Sequence, residues 1–427
     1  MTLSTPLVIT LIIFFSTYSL IISEKINRTV IALLGAALIL FTNVLNQEQA
    51  IKYIDFNTIG LLIGMMIIVG ITRRTGIFEY MAIKAAKLAK GNPMLIMMAL
   101  SAVTAITSAL LDNVTTVLLI VPVTFSICNK LEINPVPFLI SQILASNIGG
   151  TATLIGDPPN IMIGSATGLS FIDFLVNLFV PILLVFIATM LVLRVVYRKQ
   201  LIASELSKSR IMSLNEIEAI KDYALLKKSL LILALTILGF ILHKELNLAS
   251  ATIALGGATL LMFIAKEEPE DILLTVEWPT LFFFAGLFII VGALDHVGVI
   301  EWVAKKSIEV TGGAMVATTM SILWLSAIAS AFVDNIPFVA TMIPLIQKMG
   351  QIGGIENLRP FWWALSLGAC LGGNGTLIGA SANVIVAGLA EKNGVVISFR
   401  GFMKIAFPLM ILSIVISSVY IFLAYLY

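Results

Sequence analysis

The sequence predicts an all-α polytopic membrane protein built as two inverted repeats, with re-entrant hairpins and discontinuous helices. Three observations carry this expectation. Of the 427 residues, 59% are hydrophobic and 12% charged, whereas soluble domains carry about 25% charged residues. Apolar runs long enough to cross a hydrocarbon core of roughly 30 Å recur along the whole chain. Two distant stretches, Ser146–Asn160 (SNIGGTATLIGDPPN) and Ala369–Asn383 (ACLGGNGTLIGASAN), break such runs in the same way.

Taken in order, crossings are expected at about 6–22, 29–46, 57–72, 136–166, 171–195, 228–243, 248–265, 279–294, 361–390 and 402–426. The first run, Leu7–Ile22, has no basic segment before it, so it reads as a retained helix and not a cleaved signal. Two further apolar stretches, about 93–128 and 314–348, carry Asp112-Asn113 and Asp334-Asn335 near their middles. Each is long for one helix and polar at its centre. Each is therefore read as a re-entrant hairpin with the Asp-Asn pair at its tip. After Gly76 and Gly298, segments 77–90 and 299–310 mix charge with apolar residues at helical spacing, as helices lying in the membrane plane do. Alternating charges over 198–227 predict a solvated linker with some helix.

The linker joins two related halves, 1–197 and 228–427. With a shift of 222, IALLGAALILF at 31–41 meets IALGGATLLMF at 253–263. The register continues without a gap: Gly64 meets Gly286, Gly76 meets Gly298, Asp112-Asn113 meets Asp334-Asn335, and Pro122 meets Pro344. The positive-inside rule orients the chain. With both termini outside, all of the 26 Lys and Arg except Lys52, Lys244, Lys305, Lys306, Lys348 and Arg359 are cytoplasmic. Segment 57–72 then runs inward and its counterpart 279–294 outward, so the repeats are inverted.

The broken stretches carry the expected chemistry. Two adjacent prolines, Pro158 and Pro159, cannot continue a helix. Irregular backbone at membrane depth persists only where it is buried in protein or lines a wet cavity. With a shift of 223, Gly149, Gly150, Thr153, Gly156 and Asn160 match Gly372, Gly373, Thr376, Gly379 and Asn383. Small residues also let helices pack closely, but two copies in corresponding halves favour a binding site. Discontinuous helices near the midplane are how secondary transporters build such sites. The candidate solute-binding residues are Asn147, Gly149, Gly150, Thr151, Thr153, Asn160, Gly372, Gly373, Asn374, Thr376 and Asn383.

Ionisable groups inside a membrane are costly and mark function by default. Asp112, Asp334 and Asp157 are expected there, with no Lys or Arg at similar depth. Asp and Asn also cap helices, which accounts for part of the tip pattern. Asp112 and Asp334, with Asn113 and Asn335, are the candidate site for a coupling Na⁺ or H⁺. Asp157 has Ala380 as its counterpart and breaks the symmetry, so it is a candidate for substrate or proton specificity. Cys128 and Cys370 form neither a disulfide framework nor a zinc motif. His243 and His296 fall near helix ends and take no role. No catalytic constellation, nucleotide loop or basic patch appears, so neither an enzyme nor a nucleic-acid binder is expected.

The paired Asp-Asn hairpins and GGTATLIGDPPN resemble the ion transporter superfamily. The most similar branch holds arsenite-pump membrane subunits, NhaD-type sodium–proton antiporters and the P protein, and GDPPN looks most like its P-protein-like and citrate-transporter-like members. The resemblance covers essentially the whole chain. It implies a scaffold and a transport domain, elevator movement and a homodimer. Related dicarboxylate carriers have Ser-Asn-Thr at their tips; here the tips read Asp112-Asn113-Val114-Thr115 and Asp334-Asn335-Ile336-Pro337. That departure favours a branch in which the tip Asp itself titrates or binds the cation.

The expected function is ion-coupled secondary transport of a small inorganic anion or oxyanion such as arsenite across the cell membrane. Sodium–proton antiport, carboxylate transport and a P-protein-like anion channel are the alternatives. Any ATPase subunit is a separate chain. The topology is open to direct test. A cysteine placed at Lys208 is expected to label from the cytoplasm, and cysteines at Lys244 and Lys305 from outside. Cytoplasmic labelling at Lys305 excludes the inverted arrangement.

Overall fold

The computed structural model describes residues 4–23 and 25–427, which form 22 α-helices and no strand. The first half holds α1 (Thr5–Ser23), α2 (Arg28–Phe41), α3 (Gln47–Tyr53), α4 (Phe56–Arg74) and α5 (Ile77–Leu88). There follow the hairpin arms α6 (Pro93–Leu110) and α7 (Asn113–Leu131), the broken pair α8 (Val136–Thr151) and α9 (Pro158–Thr167), and the long α10 (Phe171–Tyr197). The linker contains α11 (Glu205–Met212) and a short 3-10 turn. The second half holds α12 (Tyr223–Ile241), α13 (His243–Leu246), α14 (Ser250–Ala265), α15 (Pro269–Leu273), α16 (Trp278–His296) and α17 (Val299–Thr311). It closes with α18 (Met315–Phe332), α19 (Asn335–Gly353), α20 (Arg359–Gly372), α21 (Ser381–Lys392) and α22 (Phe399–Ile421).

Local chemistry sets these boundaries. Asn92 caps α6 ahead of Pro93 at its first turn, where a missing N–H costs nothing. Asp112 ends the hairpin turn and caps α7, its carboxylate accepting from the Thr115 N–H at 2.8 Å. Asp334 caps α19 through the Ile336 N–H. Gly76 and Gly298 open α5 and α17 with φ of +80° and +78°, a conformation that favours glycine.

Nine helices among the described residues are long and apolar enough to cross a membrane, and the family assignment below makes this a multi-pass membrane protein. Three of the nine, α6, α7 and α18, are arms of the two hairpins. The discontinuous helices fall short because each is interrupted, at 152–157 and at 373–380. The expected crossing at 29–46 stops at Phe41, and Asn46 then caps the separate short α3. The linker is more ordered than its charge pattern predicts. Lys87 on α5 donates to Glu216 at 2.5 Å and to the Leu214 carbonyl, while Arg210 pairs with Glu132 at 2.5 Å. The Lys87 hydrogen bond holds the Glu216 carboxyl below its usual range. That contact is therefore present at neutral pH and is lost as acid protonates Glu216.

Helices α1–α10 each have a counterpart about 222 residues on, and α13 is an extra turn. The packing is crossed. α2 lies on α16 and α4 on α14; α9 lies on α19 and α21 on α7. α6 packs on α8 as α18 packs on α20. The helices consequently sort into two packing groups, α1–α4 with α12–α16, and α6–α10 with α18–α22. Glycines stand at the tightest crossings. A Cβ on Gly64 would lie 2.5 Å from Ala254 backbone, and one on Gly286 2.7 Å from Ala32 backbone. A Cβ on Gly149 would lie 2.1 Å from the Ala105 carbonyl oxygen, and one on Gly372 2.5 Å from that of Ala327.

Gly149→Ala is expected to lower the thermal midpoint of the detergent-purified protein, by the equivalent of about 1–3 kcal/mol of overpacking. Gly388, inside α21, has open space around the added methyl. Gly388→Ala is expected to leave the midpoint unchanged or to raise it, since alanine is the better helix former.

Candidate functional site

The site is built from the two interrupted helices. α8 ends at Thr151, and Asp157 occupies the N-cap position of α9 without capping it. The stranded backbone between them is satisfied from within. Asn160 donates to the carbonyls of Thr151 (3.0 Å) and Thr153 (2.8 Å). Asn383 donates to those of Gly373 (2.8 Å) and Thr376 (2.9 Å). Hydroxyls tie each loop to its hairpin. Thr153 donates to Ala109 at 2.5 Å and Thr376 to Ala331, while Ser108 and Ser330 donate to Ser146 and Ala369. Within each loop two glycines approach closely, Gly150 against Gly156 and Gly373 against Gly379.

A row of carboxamides crosses between the halves. Asn113, at the first hairpin tip, donates to Asn147 Oδ1 at 3.0 Å. Asn147 donates in turn to Asn374 Oδ1 at 2.9 Å and Asn383 Oδ1 at 3.0 Å. The buried carboxylate of Asp157 faces both tips. Asn113 reaches its Oδ1, and Asn335 reaches both oxygens, each at 3.4 Å. The structure thus brings together Asn113, Asn147, Asp157, Asn335, Asn374 and Asn383, all nearly inaccessible to solvent. Asn160 is engaged at both ends, since its Oδ1 accepts from Ser366 at 2.6 Å with the Cys370 sulfur at 3.7 Å. Thr151 Oγ1 donates to the Asn147 carbonyl. Asn160, Thr151, Thr153, Thr376 and the glycines Gly149, Gly150, Gly372 and Gly373 hold the loops in shape.

The tip acids sit at the edge of this cluster and differ from each other. Asp112 turns back on its own helix, accepting from Thr115 Oγ1 at 2.5 Å. Asp334 accepts from Ser381 Oγ at 2.8 Å and from Arg28 Nη1 at 2.5 Å. This corrects the expectation that no basic residue reaches that depth. Arg28 opens α2, and the crossing of α2 over α16 carries it to the second tip. Sequence spacing marks no such contact across 306 residues. Sequence reasoning also missed Glu277, which stands at the N-cap position of α16 without capping it and accepts from the Thr280 hydroxyl at 3.2 Å. The available signal was its place beside the start of an apolar run, at the shift-222 counterpart of Asp55.

Arg28, Asp112, Asn113, Asp157, Glu277 and Asn335 line an inner cavity of about 20 Å³, room for about one water. Among the described residues no group of three His, Cys, Asp or Glu is close enough to hold a metal ion. A larger cavity of about 330 Å³, bordered by Asp55, Ser165 and Gln347, lies at the far end of α9.

A family model described as a citrate transporter matches residues 18–368. The chain belongs to the citrate transporter family. It is 44% identical to an uncharacterized transporter of Mycobacterium bovis over 98% of both chains. It is 43% identical to a 46 kDa membrane protein of Mycobacterium leprae, over 98% of this chain and 99% of that one. The P protein of Mus musculus is 35% identical over 96% of this chain, which spans 59% of that longer protein. The fold is similar to the crystal structure of the YdaH transporter of Alcanivorax borkumensis, with a TM-score of 0.59, 14% identity and 98% coverage of both chains. The sequence resemblance to the ion transporter superfamily is thereby borne out, and the protein is a membrane transporter.

Asn147→Ala is expected to strip the amide that joins Asn113 to Asn374 and Asn383. It leaves buried acceptors unpaired, at a cost of about 1–3 kcal/mol. Asn160→Ala is expected to cost a similar amount by freeing two loop carbonyls. Thermal midpoints of the two variants against wild type check both.

Proposed function

We propose that this member of the citrate transporter family is a cation-coupled secondary transporter of a small anion, an oxyanion or a carboxylate, working by alternating access. The observation that carries the reading is the convergence of both hairpin tips and both broken helices around buried Asp157. Four helix N-termini, those of α7, α9, α19 and α21, open beside this cluster. Each is worth roughly +0.5 charge and suits an anion. Asp112, Asp157, Asp334 and Glu277 supply the negative groups that a Na⁺ or H⁺ would neutralise, so the cation and the anion favour each other's binding. Membership of the citrate transporter family favours a carboxylate, and an arsenite-like oxyanion uses the same donors.

The helix-by-helix correspondence and the crossed packing support inverted repeats spanning 1–197 and 228–427 about the linker 198–227. The two packing groups support a scaffold and a moving unit, hence an elevator. A homodimer in the cell membrane with both termini outside completes the reading. A second reading, sodium–proton antiport, is favoured by the excess of acids over the single arginine at the inner cavity.

The test is flux in proteoliposomes with citrate, succinate, phosphate and arsenite, with and without Na⁺ and pH gradients. One anion is expected to accumulate against its gradient, driven by one cation. Each is expected to tighten binding of the other by the same factor. Asp157→Asn is expected to abolish accumulation. Cation exchange with no anion dependence establishes antiport instead, and unitary currents establish a P-protein-like channel.

A further inference from the structure

Arg28 stands on the wall between two cavities. It lines the inner cavity of about 20 Å³ and also an outer one of about 300 Å³. Ser381 lines both as well, and Asp334 faces the outer one. The inner space admits a cation or a water. The outer one admits a small carboxylate or oxyanion. The contact that divides them is the Arg28 guanidinium, whose Nη1 donates to Asp334 Oδ2 at 2.5 Å and to Ser381 Oγ at 2.6 Å.

We propose that Arg28 is the anion-recognition residue, and that an arriving anion takes the guanidinium from Asp334, which is then free to accept the coupling cation. The inference rests on the cation-coupled anion reading above and deepens it. A guanidinium carries five N–H donors in a planar fork suited to carboxylates and oxyanions. Both of the hydrogen bonds to Asp334 and Ser381 use Nη1, which leaves Nε and Nη2 for a ligand. The group is held in place from the scaffold side. Its carbon lies 4.9 Å from the centre of the buried Phe283 ring, a cation–π position, and the adjacent Thr29 hydroxyl donates to Pro279 at 2.8 Å. Asp334 and Ser381 belong to the other packing group. The exchange therefore takes place at the boundary between the two groups.

The arrangement couples the two ligands through charge. The Asp334 side chain is 12% exposed and that of Arg28 30%. Separating such a pair leaves two poorly hydrated charges, so neither partner is released without a replacement. An anion on Arg28 and a cation on Asp334 are those replacements, and the arrival of one favours the arrival of the other. The counterpart of Arg28 in the second half is Ser250. Asp112, at the first tip, consequently has no equivalent arginine. The second tip is closed by a tethered cation and the first is not.

The test uses the full-length purified chain, with citrate, phosphate and arsenite as probes, by calorimetry across a range of Na⁺ and pH. Arg28→Gln is expected to weaken the bound probe about tenfold or more, with Arg28→Lys recovering part of the loss. Asp334→Asn is expected to tighten the probe about tenfold, within the usual range of a coupling factor, and to erase its dependence on cation. A gain of affinity cannot come from misfolding. Unchanged or weaker binding in Asp334→Asn, or unchanged binding in Arg28→Gln, overturns the exchange while leaving the transport reading intact. A wild type that binds none of the probes, yet exchanges cations, overturns both.

Discussion

Backbone that leaves the helix inside a membrane must find its hydrogen bonds within the protein. Here that demand falls on two side chains, Asn160 and Asn383, each closing two loop carbonyls. The rest of the centre depends on it. Only when the loops are closed can Gly149 and Gly372 lie against the first hairpin arms at Ala105 and Ala327. Only then do Thr153 and Thr376 reach their hairpin carbonyls. The tips are thereby fixed at a height where Asn113 and Asn335 meet Asp157.

Much of this was legible in the sequence, because a polar residue in an apolar run is conspicuous. Asp112-Asn113 and Asp334-Asn335 mark hairpin turns that the structure places within a residue or two. The prolines at 158 and 159 mark the start of a half-helix, and the shift of 222 pairs nearly every element. What was not legible is long-range. The crossing of α2 over α16 depends on close backbone approach at Gly286, and that crossing alone puts Arg28 at Asp334. Glu277 looks like an ordinary residue before a membrane span, and its half-buried position follows from the same crossing. The linker read as solvated because its charges alternate, yet Lys87 and Glu132 hold it from other helices.

The two halves share geometry and the tip acids Asp112 and Asp334, but not the rest of their charge. Closing asparagines, loop threonines, hairpin serines and crossing glycines all occur in both. Asp157 faces Ala380 across the symmetry, and Arg28 faces Ser250. The duplicated residues are those that satisfy backbone or permit close packing, demands that any such fold meets twice. The unduplicated ones carry net charge in or beside the cavities, where one solute needs only one of each.

The row of carboxamides has a further consequence. Turned by half a revolution, an amide exchanges its oxygen for its NH₂. Asn113, Asn147 and Asn383 are joined head to tail, the last ending on loop carbonyls. One amide cannot turn alone without setting oxygen against oxygen at its neighbour. The row therefore behaves as a single object with a sense of direction, which a visiting charge can read from either end. Anything that reverses one member asks the same of all, and the two loops, though far apart along the chain, hear of it together.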